Sequence, residues 1–378
     1  MKISFIRTLS KTLVLCSSFG VLLGCSSTPD KLIPADLGLN PGLLNVRLAW
    51  TSNIGPVDFQ LEPKAVEQGV LLANSVGSIV SINTANGAQS LQVSLGEKIA
   101  SGLGASTEVA AVVTRNNELI TTLSGREVWR QKMLAQVFTA PLVAGGRVLI
   151  LAADRSVSAF DAASGRRLWL LQRPGESLVL RQSGVLLAVG DTLVAGLSGQ
   201  LVSINAINGV IRWESPIASP RGTNEIERLV DLVGPASRDG SIVCARAFQT
   251  AVGCVDASSG NLIWSKPASG SVGLAGDSKL VVGAESDGKL MAWRRSNGES
   301  VWVSERLKFR RLTAPVLLIR SIAVGDDEGN VHFVSPEDGS ALAYLKTDGS
   351  AIVAGPIMAG GMLVVVTRNG GVFGIKPE

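Results

Sequence analysis

Residues 151–169 read LAADRSVSAFDAASGRRLW, and the same pattern returns at residues 194–213, 245–264 and 283–302. Each copy contains an apolar strand, a polar turn with Gly or Asp, an alternating strand, and a further turn that ends in glycine four residues before a tryptophan. These tryptophans lie at positions 129, 169, 213, 264 and 302, so the repeat is about 40 residues long. Repeats of this length built only from short strands are typical of β-propellers, in which each repeat forms one four-stranded blade.

Glycines in the turns mark the strands of each repeat. Gly-Gly and Asp-Gly pairs, as at Gly145-Gly146 and Asp239-Gly240, supply the positive φ that two-residue hairpins need. The third turn of seven repeats ends in a glycine: Gly87, Gly125, Gly165, Gly209, Gly260, Gly298 and Gly339. Four positions later stand Leu91, Trp129, Trp169, Trp213, Trp264, Trp302 and Ala343. We predict that the large rings pack between neighbouring blades, with stacking on a ligand as the alternative.

The eighth repeat is incomplete, and the N-terminal part of the chain can complete it. This repeat begins at Pro356 and ends after three strands near Lys376, whereas residues 44–50, LNVRLAW, form a strand that ends in tryptophan. An N-terminal strand in the last blade would close the ring and leave no open edge. We therefore predict an all-β fold, an eight-bladed propeller with four-stranded antiparallel blades, as a single domain over residues 43–378.

Residues 1–24 have the features of a lipoprotein signal peptide. Lys2, Arg7 and Lys11 precede an apolar stretch, and residues 22–25, LLGC, resemble the lipobox of bacterial lipoproteins. A membrane-spanning anchor is the alternative, but only 13 residues separate Lys11 from Cys25, and a span needs about 20. The resemblance implies cleavage before Cys25 and acylation of Cys25, including palmitate.

The segment after Cys25 indicates where the lipoprotein resides. Ser26 and Ser27 follow the cysteine in place of Asp, which by resemblance to bacterial lipoprotein sorting implies lipid anchoring in the outer membrane, facing the periplasm. Residues 25–42 contain three prolines and little periodicity, so we expect a lipidated tether.

The charge balance argues against nucleic acid as a partner. The chain has 35 basic and 31 acidic residues, and removal of residues 1–24 takes away three basic ones and no acidic one. The mature net charge is then +1, too small an excess to neutralise many phosphates. We expect the local basic run of Lys308, Arg310 and Arg311 to lie on a solvated rim.

Two cysteines remain within the repeats. Cys244 and Cys254 are ten residues apart and flank a hairpin centred near Gln249. Symmetric pairing would place them opposite each other, so in an oxidising periplasm we expect a disulfide. Two buried thiols in adjacent strands are the alternative.

The sequence offers little for catalysis or for metal binding. Its one histidine, His332, lies in an apolar strand, where we expect a satisfied packing residue. No Cys or His cluster has the spacing of a metal site. Asp161, Asp256 and Asp287 lie at turns, where Asp accepts hydrogen bonds from nearby backbone N–H groups. We expect no catalytic residue and no bound metal.

The repeat itself resembles that of the pyrroloquinoline-quinone dehydrogenases, which are eight-bladed and carry a repeated tryptophan. Such enzymes typically have adjacent cysteines that form a vicinal disulfide and a calcium site of acidic residues and Asn. This chain has no adjacent Cys pair. We therefore expect no cofactor, and keep a quinone-dependent periplasmic dehydrogenase and a polysaccharide-binding propeller lipoprotein as alternatives.

The lipobox, the eight repeats and the length together resemble the BamB family, the lipoprotein propellers of the bacterial BAM complex, which assembles outer-membrane β-barrels. The resemblance implies a non-enzymatic scaffold that binds the periplasmic POTRA domains of the BamA insertase and contacts other subunits of the complex. It also implies assistance in the folding and membrane insertion of outer-membrane proteins, with the unfolded proteins as further candidate partners.

The resemblance is most specific in two connections between repeats, residues 176–183 and 222–231. The family's first connection carries Leu-x-Leu-Arg, matched here by Leu178, Leu180 and Arg181. Its second carries acidic residues, matched by Asp231, although Val233 stands where a second Asp is often found. Exposed leucines beside an arginine would anchor a partner surface. In the alternatives, the leucines cap a blade, or Arg181 and Asp231 pair with each other and hold the connections together.

Overall fold

The computed structural model describes residues 32–67, 69–173, 178–220, 223 and 229–377, and within them every regular element is a β-strand. Eight antiparallel sheets of four strands each form an eight-bladed propeller, which confirms the predicted fold. The strand nearest the N-terminus, β1 (Val46–Asn53), belongs to the last blade.

Blades 1 to 4 follow in chain order. Blade 1 consists of β2 (Lys64–Val66), β3 (Gly69–Ala73), β4 (Ser78–Asn83) and β5 (Gln89–Ser94). Blade 2 consists of β6 (Gly104–Ala105), β7 (Val109–Val113), β8 (Glu118–Leu123) and β9 (Arg126–Lys132). Blade 3 consists of β10 (Leu142–Ala144), β11 (Arg147–Leu151), β12 (Val157–Asp161) and β13 (Arg167–Leu171). Blade 4 consists of β14 (Leu186–Val189), β15 (Thr192–Leu197), β16 (Gln200–Asn205) and β17 (Ile211–Pro216).

Blades 5 to 8 complete the ring. Blade 5 consists of β18 (Leu232–Asp239), β19 (Ile242–Ala247), β20 (Ala251–Asp256) and β21 (Asn261–Pro267). Blade 6 consists of β22 (Leu274–Gly276), β23 (Leu280–Ala284), β24 (Leu290–Arg294) and β25 (Ser300–Ser304). Blade 7 consists of β26 (Val316–Leu317), β27 (Ile322–Gly325), β28 (Asn330–Val334) and β29 (Ala341–Lys346). Blade 8 consists of β30 (Ile357–Ala359), β31 (Met362–Val366), β32 (Gly371–Pro377) and β1.

The N-terminal strand completes blade 8, as predicted. β1 runs antiparallel to β32, from the pair Val46–Pro377 to the pair Asn53–Gly371. Both ends of the propeller chain therefore lie in one sheet, and the ring closes through hydrogen bonds between them.

Tryptophans join six of the eight blades to the next blade. Six indole N–H groups donate to main-chain carbonyls in the third turn of the following blade, at 2.6 to 3.0 Å: Trp50 to Thr84, Trp129 to Ala162, Trp169 to Ala206, Trp213 to Ala257, Trp264 to Arg295 and Trp302 to Pro336. The rings thus pack between blades, as predicted, and their one polar atom is satisfied there.

The repeated tryptophan of one blade contacts the repeated glycine of the following blade, not the glycine of its own blade. Gly260 has φ +80°, and a Cβ there would lie 2.6 Å from Cγ of Trp213 in the preceding blade. In blade 1, Leu91 stands in place of the tryptophan. A Cβ at Gly125 of blade 2 would lie 3.2 Å from Cδ1 of Leu91. Blade 8 has no third turn because its outer strand comes from the N-terminal end, so Ala343 in blade 7 has no such glycine to meet.

Gly260 has both a positive φ and a tryptophan ring against its Cα, so a substitution there should be costly. Gly260→Ala is expected to lower the free energy of unfolding by about 2–4 kcal/mol, because alanine disfavours positive φ and its Cβ overpacks against Trp213. Gly240→Ala is the matched control, since Gly240 has φ +56° with nothing within 4 Å of its Cβ position, and should lose only about 1–2 kcal/mol. Urea denaturation measures both losses, and equal losses would show that the ring contact contributes nothing.

Residues 34–42, expected in the tether, pack against blades 6 and 7. The compact unit of the chain begins at Pro34, ahead of the predicted boundary at residue 43. The N–H of Ala35 donates to the Lys308 carbonyl at 2.9 Å, and Asn40 Nδ2 donates to the Tyr344 carbonyl at 2.9 Å. This segment therefore follows the outer strand β29 before the chain enters β1.

The prediction that the basic run at 308–311 is solvated is wrong for Arg310. Its side chain is only 6% exposed and donates to Asp326 at 2.8 Å and to Glu328 at 2.6 Å. It also donates to the Ala35 carbonyl through Nη2 at 2.8 Å and Nε at 3.1 Å. Two carboxylates and a main-chain carbonyl compensate the guanidinium for the loss of water, so it is buried between blade 7 and the N-terminal segment.

The two internal cysteines lie directly opposite each other on β19 and β20, and the structure joins them in a disulfide. Both are fully buried at the boundary between blades 5 and 6. Arg295 of blade 6 donates to Sγ of Cys244 at 3.2 Å and also binds the Ser237 hydroxyl.

The predicted signal peptide, the lipobox and Cys25 lie outside the described residues. In the part of the chain that is described, no helix has the length and apolar character needed to cross a membrane.

Candidate functional site

The two connections singled out in the sequence lie on the same face of the ring. In a four-stranded antiparallel blade, the second turn and the connection to the next blade share one face, which we name the connection face. One connection joins β13 to β14, and the other joins β17 to β18. Leu178, Leu180, Arg181 and Asp231 are described, whereas residues 174–177, 221–222 and 224–228 lie outside the described part of the chain.

Asp231 holds the first connection in place. Its Oδ2 accepts the N–H of Leu180 at 3.0 Å, and its Oδ1 lies 3.5 Å from Nη2 of Arg155. The same Arg155 nitrogen donates to the Leu178 carbonyl at 3.0 Å. The Asp231 side chain is 18% exposed. Its carboxylate is therefore turned mainly towards the protein, where it positions residues 178–180.

Arg155 supports the candidate site, and the sequence analysis did not identify it. It lies in the second turn of blade 3, with φ +62°, and is largely buried. From the sequence it was indistinguishable from an ordinary turn residue. Only the arrangement of the blades brings this turn beneath residues that are 23 and 76 positions away.

Arg181 is exposed and contacts an aromatic ring. Its guanidinium carbon lies 5.6 Å from the ring centroid of Phe138, which belongs to the connection between blades 2 and 3. Among the described residues no ion pair joins Arg181 to Asp231, so the alternative in which these two hold the connections together is not seen. Phe138 therefore adds a half-buried aromatic group that the sequence analysis did not assign to the site.

The two leucines are half-buried, not fully exposed as expected. Leu180 lines a small cavity of about 50 Å³ together with Phe138 and Asp231. Val233, which replaces an acidic residue of the family pattern, is 1% exposed and forms a β-bridge with Gly184. An apolar side chain fits that buried position, and a carboxylate there would need a charged partner.

The residues after Arg181 tie the first connection to three others. Ser183 N donates to Gln60 Oε1 at 2.8 Å, and its hydroxyl donates to Glu62 at 2.6 Å. Gln182 Nε2 donates to the Ser271 carbonyl at 2.6 Å, and Gly184 N donates to the Thr139 hydroxyl at 2.9 Å. Hydrogen bonds to three other connections therefore hold this segment. It would lose little conformational entropy when a partner binds.

The histidine belongs to a polar cluster rather than to an apolar core. His332 Nε2 lies 2.8 Å from Oδ2 of the buried Asp326, which also binds Asn330 and Arg310. Burial alone would raise the pKa of Asp326, but hydrogen bonds from His332 and Asn330 hold it well below its usual value. The buried Asp326 carboxylate therefore has three side-chain partners within the protein, which fits a structural role.

The turn aspartates behave as predicted. Asp161, Asp256 and Asp287 accept backbone N–H groups of Ser164, Ser258 and Lys289 at 2.8, 2.9 and 3.2 Å. Among the described residues no three His, Cys, Asp or Glu side chains are grouped so as to hold a metal ion.

A family model and the curated relatives with similar sequences point to one family. A family model described as outer membrane protein assembly factor BamB matches residues 75–304. A Burkholderia pseudomallei protein with that name is 35% identical over 363 residues, which cover 95% of this chain and 95% of that protein. The crystal structure of BamB from Moraxella catarrhalis has a TM-score of 0.80 at 22% identity, and the match covers 88% of this chain and all of that one.

The propeller architecture is also shared with enzymes. The quinohemoprotein alcohol dehydrogenase of Comamonas testosteroni matches with a TM-score of 0.67 at 14% identity, over 89% of this chain and 77% of that one. At this identity the similarity concerns the fold alone.

Proposed function

The chain belongs to the BamB family of outer membrane protein assembly factors, and on that premise we propose that it is a non-enzymatic scaffold in outer-membrane protein assembly. It binds the periplasmic POTRA domains of the BamA insertase and so assists the folding and insertion of outer-membrane β-barrels. Other subunits of the complex and unfolded outer-membrane proteins are further partners under this proposal. A lipid on Cys25 holds the propeller at the outer membrane, facing the periplasm.

The observation that carries this proposal is the fixed backbone at residues 178–181. Asp231 and Arg155 bind the Leu180 N–H and the Leu178 carbonyl, and the following residues are tied to three other connections. Two half-buried leucines and an exposed arginine stacked on Phe138 are thereby presented on one face. Apolar anchors with an arginine in a preorganised segment are typical of protein-binding hot spots.

The enzymatic alternative has less support. Similarity to the quinohemoprotein dehydrogenases concerns only the architecture, and a β-propeller hosts many unrelated activities. The residues that match a functional pattern cluster on the connection face, and they carry apolar and guanidinium groups suited to a protein partner.

Binding of the chain that lacks residues 1–25 to purified POTRA domains tests the proposal. We expect micromolar or tighter binding by calorimetry, and at least a tenfold loss for Arg181→Glu and for the double variant Leu178→Ala/Leu180→Ala, because each removes a central contact. Asp231→Asn should lose less affinity than Asp231→Ala, since an amide oxygen can still accept the Leu180 N–H.

Ile207→Ala is the matched control. Ile207 is an exposed apolar residue in the third turn of blade 4, on the face opposite the connections. Its loss should leave the affinity unchanged, and circular dichroism should show that all variants are folded. Absence of binding by the unaltered chain would refute the proposed docking.

A further inference from the structure

We propose that the partner surface continues from residues 178–181 onto the connection between blades 2 and 3 and into the groove beside it. This groove would receive an extended segment of the same partner, with an apolar side chain flanked by carboxylates. The inference rests on the proposed function and names the chemistry of the partner segment.

The groove lies between the outer strand of blade 2 and the face of blade 3. It encloses about 310 Å³, and Met133, Phe160 and Leu170 form the apolar part of its lining. Leu134 stands at its edge and is 80% exposed. A cavity of this size can hold one or two side chains. A partner that covers Leu134 would remove its apolar surface from water, which favours binding.

The groove is continuous with the proposed docking site. Ala152 lines both this groove and the small cavity that contains Leu180 and Asp231. Phe138, four residues after Leu134 in the same connection, contacts Arg181. A partner seated on Arg181 and Leu180 would therefore meet Phe138 and Leu134 next, which identifies the occupant as the same partner.

The charges around the groove define the rest of the partner segment. Lys132 and Arg167 line the groove. Nζ of Lys132 donates to the Asn116 carbonyl, and neither cation forms an ion pair with a described carboxylate. The one acidic side chain of the lining, Asp154, is occupied by the N–H and hydroxyl of Ser156 at 3.0 and 2.6 Å. The lining thus carries an excess of positive charge, which favours carboxylates beside the apolar side chain.

Calorimetry with the chain that lacks residues 1–25 and purified POTRA domains tests the inference. Leu134→Ser is expected to weaken binding at least tenfold. The double variant Lys132→Glu/Arg167→Glu should weaken it by at least as much and reduce its salt dependence, because it removes the attraction for carboxylates. Ile319→Ser and Arg320→Glu are matched controls, since both residues are exposed in the first hairpin of blade 7, on the opposite face.

The possible outcomes separate this inference from the proposed function. If the unaltered chain does not bind, both fail. If Arg181→Glu abolishes binding while the groove variants bind like the unaltered chain, the groove inference alone is overturned. A photoreactive residue placed at Gln172, an exposed residue of the groove lining, should cross-link to the POTRA domains, whereas one at Ile319 should not. This arm decides the question even if a groove variant fails to fold, and absence of the Gln172 cross-link would count against the inference.

Discussion

Replacement of Trp50 by alanine is expected to lower the free energy of unfolding by about 3–5 kcal/mol. Trp50 lies in the N-terminal strand that completes blade 8, and it is largely buried. Its indole N–H donates to the Thr84 carbonyl of blade 1 at 2.6 Å. Its ring packs against Gly87 of blade 1 and against Gly374 of its own blade, so close that a Cβ on either glycine would overlap the ring.

The size of this effect follows from the position of Trp50 at the closure of the ring. Alanine leaves a cavity between blades 8 and 1 and an unpaired carbonyl at Thr84. Trp50→Phe keeps most of the apolar contact and removes the hydrogen bond, so we expect it to lose only about 1–2 kcal/mol. Urea denaturation gives both values.

Hydrogen exchange provides a second measurement of the closure. In Trp50→Ala, the amides of β1 and β32 should exchange faster than those of blades 3 to 5, because the N-terminal strand is held by one edge only. Trp302→Ala removes the same kind of contact between blades 6 and 7, where the chain is continuous, and should not accelerate exchange in β1. A loss below about 1 kcal/mol in Trp50→Ala would contradict this account of the closure.

Glu285→Ala is expected to destabilise the chain by about 3–5 kcal/mol, because it leaves a buried guanidinium without its counter-charge. Arg246 is fully buried, and its Nη1 donates to Glu285 at 2.8 Å. Burial lowers the pKa of Arg246, and the attraction of Glu285 opposes that change. The Ser269 N–H and hydroxyl also bind the Glu285 carboxylate, so its removal leaves these donors unpaired as well.

A double variant separates the ion pair from the packing around it. Arg246→Met/Glu285→Met removes both charges while keeping apolar volume, so it should lose less stability than Glu285→Ala alone. The free energies of unfolding from urea denaturation measure the difference. If the double variant were the less stable of the two, the pair itself would be a net stabilising contact and this prediction would be wrong.

Much of the architecture followed from local patterns in the sequence. The glycine and tryptophan spacing, with the truncated eighth repeat and LNVRLAW at residues 44–50, was enough to predict eight blades closed by the N-terminal strand. Turn glycines and alternating strands are set by short-range sterics and by the burial of one side of a strand. They are therefore visible within a few residues of sequence.

Contacts between separate turns, strands and connections could not be inferred in the same way. Asp231 with Arg155, Arg246 with Glu285, and Arg310 with Asp326 join residues that are 76, 39 and 16 positions apart. Each of these arginines looked like an ordinary strand, turn or rim residue in the sequence. The stacking of blades decides which charge is buried and which carboxylate lies beside it.

The candidate site, too, was predicted from the sequence only in part. The sequence, through its resemblance to a family, was sufficient to single out Leu178, Leu180, Arg181 and Asp231. Only the tertiary structure decided that Asp231 holds the leucine segment from within, that Arg181 lies on Phe138, and that a groove continues beside them. The physical reason is that periodicity fixes where a strand or turn lies in its own blade, whereas burial, pairing and cavity shape depend on neighbouring blades that are distant in sequence.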